Sequence, residues 1–236
     1  MNMLIWNVRG LNHPLKQREV VGRIKKLKIK FACLLETKVK QCKLQQIIDK
    51  QFSGWKLLHN YSEAPNGRIW VLWNESIQVD LVASTDQSIT YRIEVDSKVF
   101  FFSAIYRCNE GTVKRRLWDH LVLIHSRLSQ EPWLLSGDFN IITNTSESYQ
   151  VSQIISNDMR EFMDNMLKLS MFDHMFAGPI LTWTNHQEDG FIARKLDQAL
   201  VNDNWFPIIV NSTVDFLPPK VSDHSLIHIQ LQEVEE

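Results

Sequence analysis

The stretch Trp133-Leu134-Leu135-Ser136-Gly137-Asp138-Phe139-Asn140 carries an acid and a carboxamide to the end of an apolar run. The run reads as a buried strand that breaks at Gly137, so Asp138 and Asn140 arrive at the rim of a sheet. Residues two apart on extended chain face the same way, which sets a proton acceptor beside a neutral hydrogen-bond donor while Phe139 turns into the core. Asn7, Glu36 and Tyr106 end other apolar runs in the same fashion. Asp197, within Lys195-Leu196-Asp197, and Ser222-Asp223-His224 stand where strands begin. Singly, each has a plain structural explanation: turn former, strand terminator, half-buried aromatic, edge charge or turn cap. Jointly they form a carboxylate-rich set with an imidazole and a phenol, the equipment of a water-activating site.

The ligands in this set are carboxylates and carboxamides, with no thiolate or paired imidazoles, which favours a hard, oxygen-preferring Mg²⁺ or Mn²⁺ over zinc. Such ions stabilise charge on phosphate. Ser222, Asp223 and His224 are consecutive, so they cannot form a Ser-His-Asp relay with one another. His224 needs an orienting acid from elsewhere, and Asp197 is the candidate.

The elements that must position these groups are legible in outline. Met3 to Val8 reads as a first strand and Phe31 to Leu35 as a second, with an amphipathic helix from Leu15 to Lys28 between them and another over Leu44 to Phe52. Lys25, Lys26, Lys28 and Lys30 lie off the apolar face of the first helix, as on a solvated surface. From Trp55 to Tyr106 short alternating runs separated by turns predict antiparallel hairpins. A helix is expected over Thr112 to Leu128, with Lys114, Arg115 and Arg116 in its first turns, where basic charge opposes the helix dipole and leaves phosphate contact as one role. A polar loop over Asn144 to Ser152, a helix from Asp158 to Leu169 and short strands at Leu181 to Trp183, Lys195 to Val201 and Leu226 to Leu231 complete the chain. With no repeat and no Gly/Ser linker, the pattern predicts one α+β domain of two packed sheets over residues 1–236.

Composition narrows the function classes. A formal net charge of -1, both signs being spread along the chain, excludes a bulk basic field that would draw in polyanions, so such a partner must be held by local groups or a metal. Cys33, Cys42 and Cys108 are odd in number and form no metal-type pair, which fits a reduced, intracellular setting. The early Asn7 and Arg9 do not suit a signal peptide and no apolar run approaches membrane-spanning length, so a soluble protein that is not secreted, with no membrane partner, is expected.

Trp6-Asn7-Val8-Arg9-Gly10-Leu11, Leu35-Glu36-Thr37-Lys38, Tyr106, Gly137-Asp138-Phe139-Asn140, Leu181-Thr182-Trp183-Thr184-Asn185, Lys195-Leu196-Asp197 and Ser222-Asp223-His224-Ser225 occur in an order that resembles the endonuclease/exonuclease/phosphatase superfamily. Within it the chain looks like the apurinic-endonuclease-type domain of plant LINE-type non-LTR retrotransposons. The resemblance implies a four-layered α/β/β/α sandwich of the DNase I-like kind, with Mg²⁺ (or Mn²⁺) held by Glu36 and Asn7 nearby. It implies that Asp138 orients or deprotonates the attacking water, that Asn140 binds the phosphate, and that His224, paired with Asp197, hydrogen-bonds a phosphate oxygen. Asp223 would sit in the outer shell of the metal or at a second site, Tyr106 would contact the phosphate or help the leaving oxygen, and Thr182, Arg107 and Ser222 would bind substrate. The implied activity is nicking of DNA to 3′-hydroxyl and 5′-phosphate ends, with action in the nucleus.

This chain departs from the family pattern in places. Lys195 stands where arginine is usual, Gln198 replaces a frequent arginine, Arg107-Cys108 follow the tyrosine where small residues are usual, and Gly67-Arg68 stand where paired glycines are common. These departures touch substrate contacts and local packing. Two rival readings stay open at this level: the same fold acting on another phosphoester, and a catalytically silent nucleic-acid-binding remnant.

Overall fold

The computed structural model describes residues 1–109, 111–149 and 154–232. In chain order its strands are β1 (Asn2–Asn7), β2 (Phe31–Leu35), β3 (Lys56–His59), β4 (Ile69–Trp73), β5 (Gln78–Ser84), β6 (Ser88–Val95), β7 (Lys98–Tyr106), β8 (Trp133–Asp138), β9 (Ser148–Tyr149), β10 (Met171–Asp173), β11 (Phe176–Ala177), β12 (Trp183–Thr184), β13 (Ala193–Arg194), β14 (Asp197–Asn202), β15 (Ser212–Leu217) and β16 (Leu226–Leu231). The helices are α1 (Pro14–Lys26), α2 (Gln41–Gln51), α3 (Arg115–Leu128), α4 (Asn157–Lys168) and the single turn α5 (Trp205–Ile208).

One sheet runs β11-β15-β16-β1-β2-β4-β3 and the other β10-β14-β8-β7-β6-β5, with a small three-stranded sheet β12-β13-β9 at the side. Alternation along the central strands assigns each face its layer. On β1, Met3 and Ile5 enter the core between the sheets while Leu4 and Trp6 face α1 and α2. Phe31, Cys33 and Leu35 against Ala32 and Leu34 repeat the pattern on β2. Both faces are covered, which is why these strands are uninterrupted apolar runs in the sequence. The outer face of the second sheet buries Ile105, Trp133, Leu135 and Phe139 under Leu117, Trp118, Leu121 and Ile124 of α3 and Phe162 and Met166 of α4. The result is the expected α/β/β/α sandwich of four layers.

Helix boundaries follow local chemistry. α1 begins at Pro14, whose fixed φ suits a first turn, and the His13 ring accepts from the Leu15 N–H at 3.3 Å. Gln17, Val20 and Ile24 form its buried stripe. α4 is capped by the Ser156 hydroxyl, which accepts from the Met159 N–H at 3.2 Å.

Several expectations are corrected. The antiparallel hairpins expected over residues 55–106 are present but divide between the sheets, β3 and β4 joining the first and β5 to β7 the second. The expected helix of residues 112–128 opens with a 3₁₀ turn over Gly111–Lys114. Lys114 and Arg115 do not form a free basic patch: Lys114 pairs with Asp158 and Arg115 with Glu161 at 3.4 Å, joining α3 to α4. The strand β15, absent from the sequence reading, pairs along β16 and buries Val214 and Phe216. The loop expected over Asn144 to Ser152 contains a 3₁₀ turn, Thr145–Glu147, and β9; residues 150–153 lie outside the described residues. Among the described residues no helix is long and apolar enough to cross a membrane.

Strand register assembles the rim. β1 and β2 run parallel with Asn7 opposite Leu35, so Glu36 leaves β2 beside Asn7. β7 and β8 run parallel with Tyr106 opposite Asp138, and antiparallel β14 sets Asp197 opposite Asp138 from the other side. Three functional side chains thereby share one end of the second sheet.

Candidate active site

Gly137 makes the approach of β8 to β7 possible. Its φ is 143°, and a Cβ there would stand 2.1 Å from the Ile105 carbonyl oxygen. One residue later Asp138 is buried, accepting the Asn140 N–H at Oδ1 (2.9 Å) and the Asn7 Nδ2–H at Oδ2 (2.8 Å). The second of these bonds joins the two sheets across the rim. Asn140 is not on extended chain as expected: its φ is 49°, a left-handed conformation that asparagine tolerates. There its Nδ2 donates to the Arg107 carbonyl at 2.8 Å and its Oδ1 accepts from Asn109 at 3.2 Å.

His224 faces both acids. Its Nδ1 lies 3.1 and 3.0 Å from the two oxygens of Asp197, and its Nε2 lies 3.8 Å from Asp138 Oδ2. Asp197 is itself held through its backbone, since Thr182 Oγ1 accepts from the N–H groups of Leu196 (3.1 Å) and Asp197 (3.0 Å). Burial lowers the affinity of the imidazole for its proton, but the negative charges of Asp197, Asp138 and Glu36 outweigh it and push His224 up to about 9. Burial raises Asp138 to about 6, helped by Asp197 and opposed by His224, the Asn140 N–H and the Asn7 amide. At neutral pH the pair is therefore a carboxylate facing an imidazolium. Tyr106 is driven far up by burial first and then by Glu36 and Asp138, so its phenol keeps its proton and remains a donor.

Glu36, Tyr106, Asp138, Asn140 and His224 line one cavity of about 240 Å³. Glu36 thus lies on the same side of the molecule as His224. It occupies a left-handed conformation, φ 52°, and its carboxylate is 2.6 Å from the Lys38 ammonium. An ammonium already sits at this carboxylate, and a carboxylate is the oxygen donor a hard divalent ion takes, so Glu36 fits such an ion. Asp138, Asp197 and His224 also present ligand atoms within 4.8 Å of one another. That cluster is the poorer metal site, because an imidazolium bonded to Asp197 has no lone pair to give.

Other expected site residues face inward. Ser222 Oγ donates to the Asn7 carbonyl at 2.6 Å, and Thr182 is buried beneath Asp197. The Arg107 guanidinium is buried over Trp118, 5.7 Å from its ring, with Nη1 3.4 Å from the Phe139 carbonyl. Ser222 and Thr182 position the site from behind, and Arg107 also lines the adjoining cavity with Glu36, Tyr106 and Asn140. Asp223 accepts the Trp183 indole N–H at Oδ2 (2.8 Å) and pairs there with Arg9. Lys195 is an interior cation, 3.3 Å from Glu147, paired with Asp173 and 4.8 Å from the Phe176 ring, so its exchange for arginine concerns packing. Gln198 is buried with neither side-chain polar atom partnered among the described residues.

The model of the Endonuclease/Exonuclease/phosphatase family matches residues 4–224. The chain belongs to this family. No protein with curated annotation matches the sequence. Among solved structures, the endonuclease domain of TRAS1, a telomere-specific non-LTR retrotransposon, superposes with a TM-score of 0.75 at 12% identity, over 99% of this chain and 99% of that one. An AP endonuclease from Leishmania major gives 0.76 at 15% identity, over 99% and 88%. An AP endonuclease from Archaeoglobus fulgidus gives 0.67 at 15%, over 99% and 100%. At these identities the likeness establishes the DNase I-like fold, that of family nucleases and phosphodiesterases.

Five residues of the cavity wall in this family member were not singled out in the sequence: Arg9, Asn109, Trp183, Arg194 and Leu196. Arg9, Trp183 and Leu196 lie inside recognised motifs, but a motif shows adjacency along the chain and not which side chains turn to the cavity.

Proposed function

We propose that this chain is a Mg²⁺-dependent phosphodiesterase, one catalytic domain that nicks DNA as a retrotransposon-type target-site endonuclease of the plant LINE kind and leaves 3′-hydroxyl and 5′-phosphate ends. Its place of action on this reading is the nucleus. The observation that carries the proposal is the single cavity in which Glu36, Tyr106, Asp138 and His224 meet, with Asp197 behind the histidine. The overlap with the TRAS1 domain along the full length of both chains supports the retroelement reading.

Glu36, with the Asn7 amide nearby, would hold the ion, which supplies polarisation of a phosphate oxygen and relief of charge at the leaving oxygen. Asp138, oriented by Asn7 and Asn140, takes the proton of the attacking water. His224, kept cationic by Asp197, donates from Nε2 to a non-bridging phosphate oxygen as negative charge accumulates there. Asn140 spends one amide hydrogen on Arg107 and has a second for the phosphate. Tyr106, a neutral donor, serves the leaving oxygen.

The test is supercoiled plasmid incubated with Mg²⁺. Conversion to open circle, lost in chelator and in Glu36→Ala and Asp138→Ala, is expected. Equal nicking by those variants, or none by the intact chain, defeats the reading.

A further inference from the structure

Two guanidinium groups line the cavity and take no part in the chemistry above. Arg9 leaves β1 in a left-handed turn, φ 45°, with its N–H bonded to Asn7 Oδ1 at 2.9 Å. Its side chain, about half exposed, is tied to the buried Asp223 through Nη1, the one side-chain partner it has among the described residues. Asp223 also accepts the indole N–H of Trp183, and Trp183 pairs in register with Arg194 across β12 and β13. Arg194 lines the same cavity, and its buried Nε has no partner among the described residues. Arg9 and Arg194 are therefore both tied to Trp183, the first through their common partner Asp223 and the second across the strand pair.

A buried guanidinium N–H without an acceptor is costly, and a guanidinium fork matches the oxygens of a phosphate. Glu36 and Asp138 line the active cavity with Asp197 and Asp223 close behind, and His224 is one cation against these acids, so further cations favour entry of a polyanion. We propose that Arg9 and Arg194 form a clamp at Trp183 that takes a backbone phosphate of the DNA strand next to the phosphate being cleaved. The clamp rests on the DNA-nicking reading and narrows it, since a substrate with a second phosphate one nucleotide away engages the site fully and a small phosphomonoester does not. Asp223, on this account, holds Arg9 in position through the ion pair.

The experiment measures binding of a fluorescently labelled DNA duplex to the full chain in chelator, where no cleavage intervenes, across a series of salt concentrations. Arg9→Gln and Arg194→Gln are each expected to weaken binding severalfold and to reduce the slope of log affinity against log salt by about 0.9. Arg194→Lys keeps the slope and still loses affinity, because an ammonium cannot present the fork. Lys50→Gln, an exposed cation on α2 away from this cavity, leaves both unchanged. Arg9→Gln strands a buried acid, so Arg9→Gln with Asp223→Asn is measured beside it, and the same loss of slope is expected. Slopes equal to that of the intact chain in both arginine variants overturn the clamp while nicking by the intact chain leaves the nuclease reading standing. An intact chain that binds no duplex in chelator overturns the clamp, and plasmid nicking with Mg²⁺ then decides the nuclease reading by itself.

Discussion

Asp197 grips the Nδ1 of His224 with both carboxylate oxygens, at 3.1 and 3.0 Å, and so turns Nε2 toward Asp138. The acid behind the ring decides the charge of the ring, and the ring in turn faces the proposed base. Catalysis then needs Asp138 ionised, above about 6, and His224 protonated, below about 9. The nicking rate of the intact chain is expected to follow a bell in pH with limbs near those values. Asp197→Asn should move the alkaline limb down and lower the plateau by about 10²-fold to 10⁴-fold. An alkaline limb unmoved by that substitution would show that Asp197 does not set the protonation of His224.

Both members of the pair lower stability as pH rises, each in its own window. Asp138 is raised from 3.8 to about 6, so between those values the folded state binds more protons than the unfolded one, and stability falls as pH rises through that window. His224 is raised above 6.5, so its contribution is complete below that value and is lost as pH climbs through about 9. Denaturant midpoints across pH are expected to show the lower fall in the intact chain and not in Asp138→Asn. That variant gains stability relative to the intact chain on going from pH 4 to pH 7 (about three pH units, spanning the shift), while its nicking is lost.

Thr182 accepts two consecutive backbone N–H groups beneath Asp197. Thr182→Val preserves shape and leaves both donors buried without an acceptor. A loss of about 1–3 kcal/mol in unfolding free energy is expected, with a fall in kcat larger than any change in KM because Asp197 loses its anchor. Denaturant titration and steady-state nicking check the two parts separately.

Glu36→Gln keeps the size of the side chain and removes its charge from the cavity. Nicking should require at least about tenfold more Mg²⁺ for half-maximal rate, while duplex binding in chelator is expected to strengthen slightly as a negative wall charge is lost. An unchanged Mg²⁺ dependence would move the ion to other ligands, of which Asp138 and Asp197 are next in line.

Periodicity along the chain was enough to find the buried strands and the polar residues that end them. Phe31–Leu35 is legible to the residue because a strand covered on both faces must be a continuous apolar run, and Leu226–Leu231 by its alternating apolar residues. β15 is not, since an edge-proximal strand with Ser212, Thr213 and Asp215 turned partly outward shows little apolar signal. Asn7, Glu36, Tyr106, Asp138, Asn140, Asp197 and His224 can be named as candidates from types and order, and the structure brings them to one rim. Their roles relative to one another are not legible in types and order. That Asp197 lies opposite Asp138 follows from antiparallel register between β14 and β8, and that Asn7 bonds Asp138 follows from how the sheets face each other. Motif order alone does not show that Thr182 and Ser222 bond backbone groups beneath the site; packing does. Arg9 meets Asp223 from 214 positions away. Local sequence constrains a residue's own backbone and burial through nearest-neighbour sterics and solvation; which charges share a cavity is set by long-range pairing, and that exists only once the sheets have closed on each other.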